Sequence, residues 1–313
     1  MSKLLNILFN KYIIERNNMS KTEALAIMQR DQLVAQWDQD CQNGAKVDSF
    51  IVFPSMLDLQ KRAKDQATAS VKELQGHIND AYVYEHHDGK KELWVRATDK
   101  RTKLGSFDYV RCWNSFAKMH GVEDPSSIGS DWQVDHVYPE SSASRRELHL
   151  VRVMPVPRKG NAGVGASFEA LLAKYLPGEH KGGWVASWYT IAKVTGFQGT
   201  FNKILISDTD LANQLINHLI ALYPDLGIWR QATVNDERQR LIELIGFCRG
   251  RVANVEGWNE YLKDKFIHEW SLGFSTCAHG RPNRVPEELF DDARDAWKLG
   301  WATNNASKKQ GQS

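Results

Sequence analysis

The chain predicts a mostly helical α+β protein with a small β-containing insert near its middle. Three observations carry that expectation. Apolar residues recur at helical spacing over most of the first 80 residues and again from about residue 205. Alternating or continuous apolar runs of strand length are confined to two short stretches, 82–95 and 132–155. The composition, 42% hydrophobic and 25% charged over 313 residues, supplies apolar mass for one large domain or two modest ones. It excludes a wholly disordered chain, and with 22 glycines and no internal period it excludes collagen-like and repeat architectures.

The elements follow in order. Residues 1–18, MSKLLNILFNKYIIERNN, have an apolar run broken by Asn6, Asn10 and Lys11, with no small-residue cleavage site, so a signal peptide is not expected. Ser20 and Glu23 form a capping-box pattern before a helix over Ala24–Trp37. A second helix is expected from about Ser55 to Asp80, on Met56, Leu57, Leu59, Ala63, Ala67, Val71 and Leu74. Tyr82–Tyr84 and Leu93–Val95 flank an Asp88-Gly89 turn, which reads as a hairpin. A helix over Phe107–His120 precedes an Asp124-Pro125 loop. The insert itself reads as a strand at Trp132–Tyr138, a polar loop, an apolar strand at Leu148–Pro155, a Gly-rich turn, and a helix from Ala162 or Ser167 to Tyr175.

Beyond Pro177–Gly183, the best boundary, the chain reads as helical to its end. One helix is carried by Leu211, Leu215, Leu219 and Leu222 behind Ser207 and Asp210, another by Leu241, Leu244, Ile245 and Cys248. Residues 302–313, small and polar, read as a frayed tail. The resulting division is 1–104, helical with a hairpin; 105–181, the insert; and 182–313, helical.

No run of about 20 apolar residues exists, so no membrane partner is expected. Four cysteines lie far apart with no C-x-x-C, which argues against zinc ribbons and disulfide frameworks and points to reduced thiols in a cytoplasmic chain. The eleven tryptophans read as packing residues, and His86-His87-Asp88 as the polar crown of a hairpin. P-loop, nucleophile-elbow and H-E-x-x-H patterns are absent.

The stretch that could carry chemistry is Asp135-His136-Val137-Tyr138-Pro139, read with Arg158-Lys159-Gly160-Asn161. Adjacent strand residues face opposite ways, so Asp135 and His136 serve one site only at a strand end, where Pro139 would stop the ladder. The bland alternatives are a strand-end histidine, a turn aspartate and an ordinary helix-entry Asn.

This pattern, Asp-His-apolar-x-Pro, a loop, an apolar strand, then Asn at the head of a helix, resembles the HNH, or His-Me finger, nucleases over about residues 131–175. The resemblance implies a ββα-metal-like core set between the helical regions. It implies Asp135 and Asn161 as ligands of a divalent ion, Mg²⁺ before Mn²⁺ or Zn²⁺, and His136 as the base that deprotonates water. Where the family often carries an Asn before the second strand, this chain offers His149 as a stand-in. Such a site suits a phosphodiester: a hard cation stabilises the developing charge, and a neutral imidazole is available near pH 7. Arg145, Arg146, Arg152, Arg158 and Lys159 form a local basic strip in a chain of net charge +2, as phosphate contacts require. The expected function is a metal-dependent endonuclease or nickase acting on DNA. The alternative is a non-catalytic DNA-binding or assembly protein, with the helical flanks free to take a protein partner.

Overall fold

The computed structural model describes residues 19–43, 48–65, 69–97, 108–140, 143, 148–164, 179–180, 183–199, 206–230, and 238, 239, 241, 242, 245 and 246. The chain divides into two compact units, Met1–Asn161 with Gly178–Gly196, and Ala162–Pro177 with Phe197–Ser313.

The first unit begins with α1 (Lys21–Asn43). Ser20 caps it as the sequence predicts, its Oγ accepting the Glu23 N–H at 3.1 Å. Leu25, Ala26, Ile27, Leu33, Val34 and Trp37 are all buried, so α1 is wrapped by protein on more than one side. The helix expected over Ser55–Asp80 is corrected: α2 covers only Met56–Asp65, and Ser70–Glu73 is strand β2. Helical spacing of Val71 and Leu74 loses to tertiary pairing, because β2 finds a complete antiparallel partner in β3 (Ala81–Glu85). The β3–β4 hairpin forms as expected, with β4 at Lys91–Arg96 and Tyr82 opposite Trp94.

The eight strands among the described residues join one antiparallel sheet, which curls into a half-barrel. Its order is β2-β3-β4-β6-β1-β8-β7, with β1 at Phe50–Phe53, β6 at Leu150–Pro157, β7 at Glu179–His180 and β8 at Gly183–Val185. Strand β5 (Trp132–His136) pairs with the far half of β6, placing Asp135 opposite Met154 and His136 opposite Val153. Gly183 lets β8 lie against the Phe50 and Phe53 rings, which a Cβ there would meet at 2.9 Å.

The sheet supports two apolar layers. On one face Val83, Leu93, Val95, Val134 and Val153 pack under Cys112, Trp113 and Phe116 of α3 (Tyr109–Met119) and Leu25 of α1. On the other, Tyr82, Tyr84, Trp94, Phe50 and Phe53 pack with Leu59 and Ala63 of α2. Helix α4 (Trp188–Val194) is anchored by Trp188, whose ring meets Trp37 edge-on at 4.9 Å. In the second unit, α5 (Asp208–Leu222) matches its sequence signature: Ser207 Oγ accepts the Asp210 N–H, and Leu211, Leu215 and Leu219 are buried.

The expected fold class, a mostly helical chain with a small ββα-metal-like core between helical regions, is therefore overturned. Strands β5 and β6 are members of a sheet that recruits segments from residue 50 to residue 185. Strands of two to eight residues carry too few side chains for period alone to separate them from helix, and their partners are distant in sequence. The region after Gly178, expected to be helical, supplies β7 and β8. A helical turn stands at Arg158–Gly160, ahead of the helix expected from Ala162 or Ser167 to Tyr175; residues 165–175 and the tail lie outside the described residues, as does most of the expected helix around Leu241–Cys248.

Candidate binding site at the end of strand β5

Burial alternates strictly along β5, with Trp132, Val134 and His136 inside and Gln133 and Asp135 part-exposed. Asp135 and His136 therefore point to opposite faces, and the strand ends without a bulge to bring them together. His136 is only 4% exposed. Its ring lies 4.3 Å from that of Tyr109, the first residue of α3, held there because Asp108 caps the helix through the Val110 and Arg111 N–H groups. Burial, with help from the charges of Asp135 and Glu140, raises the Tyr109 hydroxyl above its ordinary range and keeps it protonated.

Asp135 turns the other way and meets Lys193 of α4. The Lys193 ammonium lies 3.0 Å from Asp135 Oδ2 and donates to the His136 carbonyl at 2.8 Å. The lysine side chain is 1% exposed and the aspartate 20%. A buried ammonium must be paired, and these two oxygens pair it. Helix α4 is brought close by Gly160, where a Cβ would collide with the Lys193 carbonyl and approach Gly196 Cα to 2.7 Å. Only a glycine at this point allows the 158–161 turn to lie against the helix that delivers Lys193.

No family model, curated protein or solved structure matches the chain. The site is thus read on its own chemistry. Among the described residues no three His, Cys, Asp or Glu gather as a metal-binding group. Asp135 and Asn161 share no hydrogen bond; Asn161 ends the helical turn, its N–H bonded to the Arg158 carbonyl. The residues do not fit a resident divalent ion, because the one carboxylate that would hold it already faces an ammonium at contact distance. A second cation there would be repelled in surroundings that screen charge poorly.

The other expected site residues scatter. His149 is exposed, its backbone rather than its ring being used: its N–H donates to Phe53 O and its carbonyl accepts from Ala97. Arg152 faces inward, 0% exposed, and so does not contribute to a solvent-facing basic strip. Arg158 and Lys159 are exposed, with Arg158 Nε tethered to the Trp132 carbonyl at 3.2 Å. Arg145 and Arg146 lie outside the described residues. His86 and His87, expected together on the polar crown of a hairpin, part company: His87 is exposed, whereas His86 is buried against Glu92 at 2.8 Å.

Sequence reasoning missed Lys193 and the buried ionic cluster on β4. Glu92 is 0% exposed and is met by Arg62, Arg152, His86, Gln36 and the Trp94 indole. Burial alone would push its carboxyl up; the charges of Arg152, Arg62 and His86 outweigh that and hold it well below the usual carboxylate range. The available signal was Gln29, Gln32 and Gln36, an i, i+3, i+7 polar stripe set among the buried apolar Leu25, Ile27, Leu33, Val34 and Trp37 of α1. It faces β4, with Gln29 bonded to Lys91 O and Gln36 to Glu92.

Proposed function

We propose that this chain binds the phosphate backbone of nucleic acid, DNA in the first instance, without cutting it. The observation that carries the reading is the Lys193 ammonium on Asp135: the position a hydrolase would give to a catalytic cation is filled by the chain's own charge. The imidazole that would activate water is buried under Tyr109 on the opposite face. Binding is supported by the exposed Arg158 and Lys159, carried on a turn fixed by the Gly160 contact and by the Arg158–Trp132 hydrogen bond. Such side chains position a polyanion and give no sequence readout by themselves.

The hydrolytic reading keeps one observation in its favour, the partial exposure of the Asp135 carboxylate. The test separates the two. Fluorescence anisotropy with a labelled DNA duplex and a single strand, at 50 and 200 mM salt, should show salt-dependent binding. Replacing both Arg158 and Lys159 by Ala should weaken it and lower the log–log salt slope by about 2. Plasmid incubated with Mg²⁺, Mn²⁺ or EDTA should stay supercoiled. Absence of binding to either nucleic acid at low salt sinks the proposal, and metal-dependent nicking lost in Asp135→Ala replaces it with the hydrolase.

A further inference from the structure

Helix α3 and the turn between β2 and β3 bring three polar side chains into one chain of contacts. His77 Nε2 lies 2.9 Å from Ser115 Oγ, and His77 Nδ1 lies 3.3 Å from Cys112 Sγ. Cys112 and Ser115 are three residues apart on α3 and so share a helix face. The turn fixes the imidazole through its own backbone. The His77 N–H donates to the Leu74 carbonyl at 2.9 Å, and the His77 carbonyl accepts the Asp80 and Ala81 N–H groups, each at 3.1 Å. Asn79 completes the turn in the left-handed region at φ 63°, its N–H bonded to Glu73 Oε1 at 3.2 Å.

This order of groups is that of an activated nucleophile: a hydroxyl on a base, and the base on a third side chain that orients it. With the ring proton on Nδ1, Nε2 accepts the Ser115 O–H and Nδ1–H donates to the Cys112 sulfur. Asp80 and Asp108, whose charges act on Cys112, favour the proton on that side of the ring. Burial, with those two charges, pushes the Cys112 thiol up to about 12, so the sulfur stays neutral and does not compete as the nucleophile. Cys112 is fully buried, whereas His77 and Ser115 are only partly covered. Spacing of three and four residues puts Lys118 and Met119 beside Ser115 on the helix surface, and Ile78 follows His77. Lys118 is exposed, and Ile78 and Met119 are 69% and 50% exposed. An ammonium next to the hydroxyl suits a developing oxyanion, and two uncovered apolar side chains suit a short acyl chain.

We propose that Ser115 is a nucleophile activated by His77 and directed at carboxylic esters with short apolar acyl groups. Ser115 Oγ bonds to the carbonyl carbon while its proton passes to His77 Nε2. The ester C–O bond then breaks, the leaving alkoxide takes that proton, and an acyl-serine remains. Water repeats the sequence, releasing the carboxylic acid and restoring the hydroxyl. Cys112 acts through the imidazole, as a positioning residue. The activity does not rest on nucleic-acid binding.

Incubating the full chain with 4-nitrophenyl acetate or butyrate tests it. A burst of nitrophenolate should accompany a gain of one acyl group in intact mass, mapped to Ser115 by peptide digestion. Ser115→Ala, a change that helix propensity favours, should fold and lose both signals. His77→Gln should slow turnover by about 10²-fold or more. Cys112→Ala should lower kcat at unchanged KM, and Cys112→Ser, which keeps a hydrogen-bonding atom, should recover it; equal losses in the two would remove the positioning role. Acyl groups found only on lysines or the amino terminus, or an unchanged rate in Ser115→Ala, would overturn the assignment and leave the three side chains as a structural link between α3 and the turn.

Discussion

Glu92 offers the sharpest perturbation, because a Gln in its place keeps the volume and removes the charge. The parent carboxylate is fully buried between Arg62 and Arg152, 3.0 Å from Arg62 Nη1 and 3.3 Å from Arg152 Nη1. In Glu92→Gln, Arg62 retains Asp48 at 2.6 Å, whereas Arg152 loses the one carboxylate it contacts among the described residues. Breaking a buried pair by deleting one partner costs about 3–5 kcal/mol, since the survivor is stranded without water. For a unit of this size that corresponds to about 6–20 °C in the unfolding midpoint. Urea unfolding should show the loss as a lower midpoint at an unchanged slope. The pH dependence has a fixed sign. The folded carboxyl titrates below its ordinary value of 4.5, so its contribution is complete above that pH and lost as the pH falls further. Glu92→Gln should lack this acid-dependent component. Adding Arg152→Met to Glu92→Gln removes the stranded charge and should recover part of the loss. A loss below about 1 kcal/mol for Glu92→Gln, the range of exposed pairs such as Lys72–Glu85, would refute the reasoning.

Three other outcomes follow from the same geometry. His120 is pulled down to about 4 by burial and by the charge of Lys91, so the folded state resists a proton that the unfolded state accepts; stability should fall between pH 6.5 and about 4, and His120→Gln should flatten that part of the urea-midpoint profile. Gly160→Ala should destabilise by at least 1–3 kcal/mol, roughly the cost of overpacking, because the new methyl meets backbone rather than a flexible side chain; thermal unfolding checks it. Burial and the nearby Asp80 and Asp108 push the Cys112 thiol up to about 12, so iodoacetamide followed by peptide mass mapping should modify half-buried Cys41 first and Cys112 only on unfolding.

Local patterns were legible where neighbours in sequence decide the outcome. Ser20–Glu23, the β3–β4 hairpin, the helix near Tyr109–Met119 and the leucine-bearing α5 all stand close to where composition and spacing put them. Val71 and Leu74 misled because their spacing also fits a helix, and only the presence of β3 alongside turns that segment into a strand. Arg152 misled because an arginine in a basic stretch suggests a phosphate contact, while its strand position places it opposite Trp94 in the interior. Lys193 gave no signal at all: a single lysine in a helix acquires meaning only from what the helix is packed against.

The sequence by itself determined the caps, the turn residues and the supply of buried aromatic mass, while the regular run of β5 through His136 decided that Asp135 and His136 face opposite ways. These depend on a few bonds of backbone geometry. The tertiary structure alone decided that strands from residue 50 to residue 185 share one sheet, that Lys193 rests on Asp135 across 58 positions, and that Glu92 gathers charges from residues 62 to 152. The physical reason is range: hydrogen bonding and steric preference act between near neighbours, whereas ion pairs in a desolvated interior join groups whose sequence separation leaves no local trace.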